Sequence, residues 1–149
     1  MDAQGNIWVG DQHFQGGTTF RQDAPIEGAS ADMQPLYRSS RYAYGSGTFS
    51  YLFALPDGPY HVTLKWAEYH TAEQLQSLKI HYKMKVAMNG KQVLAGFDPV
   101  AAAGVVRKAY DQSFDVTVTG NELRIVFSGE PGAGYVGAGI NGIEIVSAK

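Results

Sequence analysis

The sequence predicts an all-β chain folded as a two-sheet antiparallel sandwich, and three observations predict it. Segments that alternate apolar and polar residues recur along most of the chain, with the period of two that marks a half-buried strand. Glycine and asparagine punctuate those segments at short intervals, as turns between strands require. Helix-forming stretches are scarce, which leaves a sandwich with one or two helical turns in its loops.

Ile7-Trp8-Val9 reads as a short strand, and Gly16-Gly17 and residues 23–34 read as surface loops. Phe49, Tyr51 and Phe53 form the first clear stripe. Pro56-Asp57-Gly58-Pro59 then leads into a strand whose Val62, Leu64 and Trp66 face one way, with Thr63 and Lys65 facing the other. Thr71 to Leu78 is the one convincing helix former, and residues 100–103 suggest a further turn capped by Asp98. Tyr82, Met84, Val86 and Met88 alternate with lysines and alanine before Asn89-Gly90, the pair suited to a type I′ hairpin. Phe114, Val116 and Val118 form the next stripe, and Gly120-Asn121 separates it from Leu123, Ile125 and Phe127. Asn141, Ile143 and Ile145 close the series. Strands joined so closely are expected to pair as antiparallel meanders.

At 149 residues and 44% hydrophobic, the chain has the size and composition of one globular domain spanning 1–149. Its formal charge of -2 gives no electrostatic reason for a nucleic-acid or anionic-membrane partner. With no cysteine, disulfides and thiolate chemistry are excluded. No run approaches the roughly 20 apolar residues that span a bilayer. The first residues lack the charged-then-apolar plan of a signal peptide, so if the protein is exported, its signal was removed or belongs to a longer parent chain.

Catalytic patterns are missing. His13, His61, His70 and His81 lack the spacing that puts two ligands on one face. There is no Gly-x-Ser-x-Gly turn, and Gly132-Ala133-Gly134 precedes no helix that would cradle a phosphate. Glycoside hydrolysis needs two carboxylates across a cleft, and the acidic residues here sit mainly at turns and on outward positions. No cofactor is predicted. A structural calcium is compatible with such a sandwich, but no loop spells a calcium motif.

Aromatic residues beside loops are what the chain does offer. Tyr42 and Tyr44 precede the Phe49 strand, Tyr69 and His70 follow the Trp66 strand, and Tyr135 lies in a glycine-rich approach to the last strand. A sugar ring has an apolar face that an aromatic plane can support and hydroxyls that polar groups can read. Glu68, Arg41, Asn141 and His70 are candidates for that polar rim. Trp66 points inward with Val62 and Leu64, which makes it core, and Arg41 suits a buried partner of a carboxylate such as Glu68.

Five strings add a resemblance. Asn6-Ile7-Trp8-Val9-Gly10-Asp11-Gln12-His13-Phe14 with Gly16-Gly17 is similar to the opening of the bacterial malectin-like family. Leu36-Tyr37-Arg38-Ser39-Ser40-Arg41-Tyr42 resembles its Leu-Tyr-x-x-x-Arg-Tyr signature, and Leu64-Lys65-Trp66-Ala67-Glu68 its strand ending in Phe-Ala-Glu. Residues 97–104 resemble its Asp-Ile-x-Ala-Ala-Ala-Gly, and residues 140–145 its closing Ile-Asn-Ala-Ile-Glu-Ile. All five occur in the family's order across nearly the whole chain.

The resemblance implies a galactose-binding-like jelly roll whose loops bind an oligo- or polysaccharide without chemistry. It implies a bacterial module, extracellular or periplasmic, attached in cis to a glycoside hydrolase. The tyrosine of the Arg-Tyr pair falls on Tyr42. The family's aromatic pair after Ala-Glu-x falls on His70 and Thr71, with Tyr69 one place earlier, and its site aspartate falls near residues 135–137, where no acid stands. The expected site is therefore Tyr42, Tyr44, Glu68, Tyr69, His70 and Tyr135. Two other readings share the fold: a protein-interaction domain of a larger extracellular protein, and an enzyme with an acidic pair.

Overall fold

The computed structural model describes residue 2 and residues 5–148. In chain order they form β1 (Phe14–Gln15), β2 (Thr18–Arg21), α1 (Gln34–Tyr37), β3 (Ser39–Tyr44), β4 (Thr48–Ala54) and β5 (Gly58–Trp66). Then come α2 (Ala72–Ser77), β6 (Met84–Met88), β7 (Lys91–Phe97), α3 (Pro99–Ala103), β8 (Tyr110–Val118), β9 (Glu122–Gly129), β10 (Val136–Ile140) and β11 (Gly142–Ser147). No helix among these residues is long and apolar enough to cross a membrane.

One layer has the order β1-β4-β9-β6-β7. The other consists of β10-β3-β2 and β11-β5-β8. Only Asn141 separates β10 from β11, so one kinked strand joins the two halves: its start pairs with β3 and its end with β5. Every strand pairing is antiparallel. The expected two-sheet sandwich is what forms.

The stripes read from the sequence bury as alternation requires. Phe49 and Tyr51 of β4 meet Leu123, Ile125 and Phe127 of β9 and Met84, Val86 and Met88 of β6. From the opposite layer Val62, Leu64 and Trp66 of β5 close the core, all at 1% exposure or less. Burying side chains of this size contributes roughly 1.5–3 kcal/mol each. Trp66 is core, as its face predicted, and its Nε1 donates to the Gly139 carbonyl at 2.7 Å.

Helix capping follows the sequence closely. Thr71 caps α2, accepting from the Gln74 amide while the Gln74 side chain returns the bond, a capping box. Asp98 caps α3 through the Val100 amide at 2.9 Å.

Several expectations need correction. Asn89-Gly90, both with positive φ, closes the β6–β7 hairpin as read. The links after β4 and after β8 do not make meanders, since each carries the chain from one layer to the other. A turn residue fixes where the chain bends, not which sheet receives it. The two crossings are tied together where Asp57 accepts from the Asn121 amide at 2.7 Å.

Ile7-Trp8-Val9 is not a strand: Ile7 and Val9 lie 75% and 67% exposed, and Trp8 is held locally by its Nε1 donating to Asp2 at 2.9 Å. α1 is a third helix, falling at the end of a stretch read as loop. Tyr82 precedes β6 rather than starting it. The sequence does not announce β1, β2, β3 or β10 as strands. In β3 the inward positions are Arg41 and Ala43, and a charge facing the core breaks the apolar alternation that reveals a strand. The partner of Arg41 is Asp11, not Glu68.

Candidate functional site

One end of the sandwich gathers the end of β5, the loop that follows it, the last residues of β3 and the approach to β10. Between them lies a cavity of about 170 Å³ lined by Tyr42, Tyr44, Glu68, Tyr69, His70 and Tyr135, all six of the residues singled out from the sequence.

The backbone explains why the loop stands there. Asn141 accepts from the Ala67 amide and donates to the Tyr37 and Ser39 carbonyls, fixing the end of β5 against α1 and β3. Arg107, at φ 58, then holds the next two residues: its amide donates to the Glu68 carbonyl at 2.6 Å and its Nε to the Tyr69 carbonyl at 2.8 Å. Beyond α2, the Lys79 carbonyl accepts from the Tyr135 amide and the His81 carbonyl from Gly134, which ties the far wall to β10.

Two aromatic groups result. Tyr42 and Tyr44 meet edge-on with centroids 5.3 Å apart and hydroxyls at 3.1 Å, and Tyr135 leans on Tyr44 at 4.9 Å. Opposite them, Tyr69 stacks parallel on Phe20 at 4.6 Å and packs against His70 at 4.1 Å. Tyr44 and Tyr135 are 48% and 60% exposed, so rings of substantial area face solvent at the rim.

The floor is polar. Glu68 is 5% exposed. Its Oε1 accepts from the His70 amide at 2.9 Å and faces His70 Nδ1 at 2.7 Å. Its Oε2 is buried with no hydrogen-bond partner among the described residues. The Tyr82 phenol lies close enough to Glu68 for the carboxylate to act on it. Burial, and then the Glu68 charge, push the Tyr82 and Tyr69 phenols upward. At the rim, Tyr44 is raised mainly by its bond to Tyr42, and Tyr135 by Tyr44. These phenols stay neutral at ordinary pH, each able to donate and accept.

Two rim candidates are occupied elsewhere. Asn141 lines the cavity, but its amide is committed to the three backbone bonds above. Arg41 points away: Nε and Nη2 reach Asp11 Oδ2 at 2.8 Å, Nη1 donates to the Gly16 carbonyl, and the guanidinium covers Phe14 at 3.5 Å. Sequence reasoning missed Phe20, which arrives from β2, and Tyr82, which its stripe assigned to a strand.

Glu68 is the one carboxylate among the lining residues, so the pair used in glycoside hydrolysis is not assembled in this cavity. Among the described residues no group of three or more His, Asp or Glu side chains is placed to hold a metal ion.

The chain is thus a two-layer β-sandwich with an aromatic-walled cavity at its loop end. Residues 1–143 match the family described as Malectin domain, and the chain belongs to that family. Comparison with curated protein sequences finds no match.

Among solved structures, Bacteroides uniformis β-glucuronidase 2, covalently bound to cyclophellitol-6-carboxylate aziridine, is similar with a TM-score of 0.74 and 19% identity. That likeness covers 99% of this chain and 16% of the glucuronidase chain. The ANXUR2 extracellular domain of Arabidopsis thaliana aligns at TM-score 0.71 and 15% identity, covering 88% of this chain and 39% of the other. A plant complex of the peptide RALF23 with FER and LLG2 contains a chain at TM-score 0.75 and 16% identity, with 94% and 42% covered. This chain thus spans less than half of each of them. At these identities the likeness speaks for the fold alone.

Proposed function

We propose that this chain is a single non-catalytic carbohydrate-binding module whose cavity holds a ring of an oligo- or polysaccharide. One observation carries the reading: the six residues chosen from sequence as stacking and hydroxyl-reading groups converge on one cavity. Tyr42, Tyr44 and Tyr135 offer faces and phenol edges on one side, and Tyr69 with His70 on the other. Aromatic faces under C–H surfaces and polar groups at the ring edge are how such a site recognises sugar. At about 170 Å³ the cavity is smaller than those of drug-sized ligands, which suits one ring.

In this reading the module works in a longer bacterial protein, extracellular or periplasmic, and brings an attached glycoside hydrolase to its substrate. Single-site affinity lies between about −4 and −8 kcal/mol, which suffices once tethering raises the effective concentration. Its likeness to a chain of a peptide-containing plant complex favours, as the second reading, a protein-interaction domain without sugar binding.

A glycan array on the wild type and on Tyr42→Ala decides between them. Binding that is lost in a folded Tyr42→Ala supports the module. A folded wild type that binds no glycan rejects it and favours the interaction domain.

A further inference from the structure

The floor of the cavity holds a pair that stacking alone does not use. Glu68 Oε1 receives the His70 backbone N–H at 2.9 Å and faces Nδ1 of the same residue at 2.7 Å. An ionised carboxylate only accepts, so the proton between them sits on Nδ1. A neutral imidazole protonated there leaves Nε2 as a bare acceptor. Among the described residues none bonds Nε2, and the ring lines the cavity with its side chain 15% exposed. Tyr69 packs on the ring face at 4.1 Å and limits its rotation.

We propose that His70 is a specificity-determining residue whose Nε2, kept as an acceptor by Glu68, takes a hydrogen bond from a ligand hydroxyl. Glu68 is then a positioning residue that acts through the ring, as partners of functional histidines do elsewhere. The inference rests on the sugar-site reading and narrows it. The ligand must present a donor at this point. No lysine or arginine lines the cavity, and the buried Glu68 carboxylate lies beneath it. A carboxylate on the sugar would meet acceptors and a like charge, with no cation to offset its desolvation. The site therefore takes uncharged, hydroxyl-bearing rings and rejects uronates.

The test titrates matched neutral and uronic-acid oligosaccharides into wild type and His70→Phe by calorimetry. It adds imidazole nitrogen-15 NMR of the unliganded and saturated wild type. His70→Phe keeps a ring in place and removes the acceptor. The expected outcome is neutral binding, uronates about tenfold or more weaker, and a similar loss for neutral glycan in His70→Phe. The His70 Nε2 resonance is expected in the unprotonated range and to move on saturation. Equal binding of uronates, unchanged affinity in His70→Phe, or a protonated Nε2, whether the ring is neutral or an imidazolium, each overturns this inference and leaves the sugar site standing. Absence of binding by both glycan classes overturns the sugar-site reading itself, and this inference with it. The NMR result does not depend on the variant folding.

Discussion

Arg41 and Asp11 meet with two guanidinium nitrogens 2.8 Å from a single carboxylate oxygen, 30 residues apart in sequence. The other oxygen of Asp11 accepts from the Tyr51 hydroxyl at 2.7 Å. One acid thus joins the segment before β1, the inward face of β3 and the core strand β4. Arg41 is 7% exposed and immediately precedes Tyr42, so this contact also fixes the strand that delivers the first wall of the cavity.

Replacing that acid should cost the fold heavily. Asp11→Ala leaves a buried guanidinium with the Gly16 carbonyl and the Phe14 ring but no carboxylate, and leaves the Tyr51 phenol without an acceptor. Removing the partner of a buried guanidinium costs about 1–3 kcal/mol, less than for a wholly buried pair because the Asp11 side chain is itself 34% exposed, and Asp11→Asn should cost less because it keeps an acceptor. Urea denaturation measures both. A loss below about 1 kcal/mol for Asp11→Ala would place the pair with ordinary surface ion pairs.

Tyr37 and Tyr51 set an alkaline limit on stability. Burial is the largest cause raising both phenols. The Asp111 carboxylate adds to it for Tyr37, bonded at 2.5 Å, and Asp11 for Tyr51, where Arg41 works the other way. A raised value in the fold means that the unfolded chain releases these protons first. The stabilisation is full below about pH 10, the unperturbed value, and declines as pH rises toward the folded values. Each phenol removes about 1.4 kcal/mol per pH unit in that window. Unfolding midpoints should fall steeply above about pH 10, and Tyr37→Phe should flatten the fall. Midpoints that hold in the wild type through that range would contradict the assignment.

Trp66 and Tyr135 both line the cavity, yet they should fail in opposite assays. Trp66 is 1% exposed, bonded to Gly139 and packed on Phe97 at 4.6 Å. Trp66→Ala should cost about 3–5 kcal/mol of stability. Tyr135 is 60% exposed, so Tyr135→Ala should leave stability within about 0.5 kcal/mol. Its loss should weaken glycan binding roughly fivefold, the worth of one aromatic contact. Thermal melts and titration of the same two variants check the split. A Tyr135→Ala protein that melts early and binds normally would reverse the roles.

Legibility of this chain follows the range of the interaction. Local rules are legible: the helix from Thr71 to Leu78, the Asp98 cap, the hairpin at Asn89-Gly90 and the inward face of Trp66 each depend on residues within a few positions. Whether a bend leads to a paired strand or to the opposite layer depends on strands far away, so the links after β4 and β8 look like hairpins in the sequence and are crossings in the structure. Arg41 found Asp11 rather than Glu68 because β1 and β4 bring Asp11 beneath it, which no spacing encodes. The six cavity residues were chosen by type and by position beside strand ends, and strand ends of one layer converge at one end of a sandwich. Phe20 carried neither signal. It sits in a tract without periodicity, and only the pairing of β2 with β3 brings it under Tyr69.

Gly137 offers the sharpest test of how the rim is built. It lies in β10 at the irregularity between Val136 and Ala138, where the pairing with β3 shifts register. A Cβ placed there would stand 2.0 Å from the Gly45 carbonyl oxygen and 2.8 Å from the Ala133 methyl. Those are backbone and short side-chain atoms, so the turn after Tyr44 must move as a unit. That turn is also held by the Gly45 amide donating to the Tyr135 carbonyl at 2.9 Å, which couples it to the contact between Tyr44 and Tyr135. Gly137→Ala should therefore cost about 2–3 kcal/mol by overpacking and weaken glycan binding in whatever fraction still folds. Gly90→Ala is the control. Its φ is +81 with no atom within 4 Å, so only the left-handed backbone is strained, at about 1–2 kcal/mol, and binding should be unaffected. Paired urea denaturation and titration separate the two causes. If Gly137→Ala costs no more than Gly90→Ala and binds normally, the turn yields freely, and the tyrosine contact is set by the side chains rather than by the backbone beneath them.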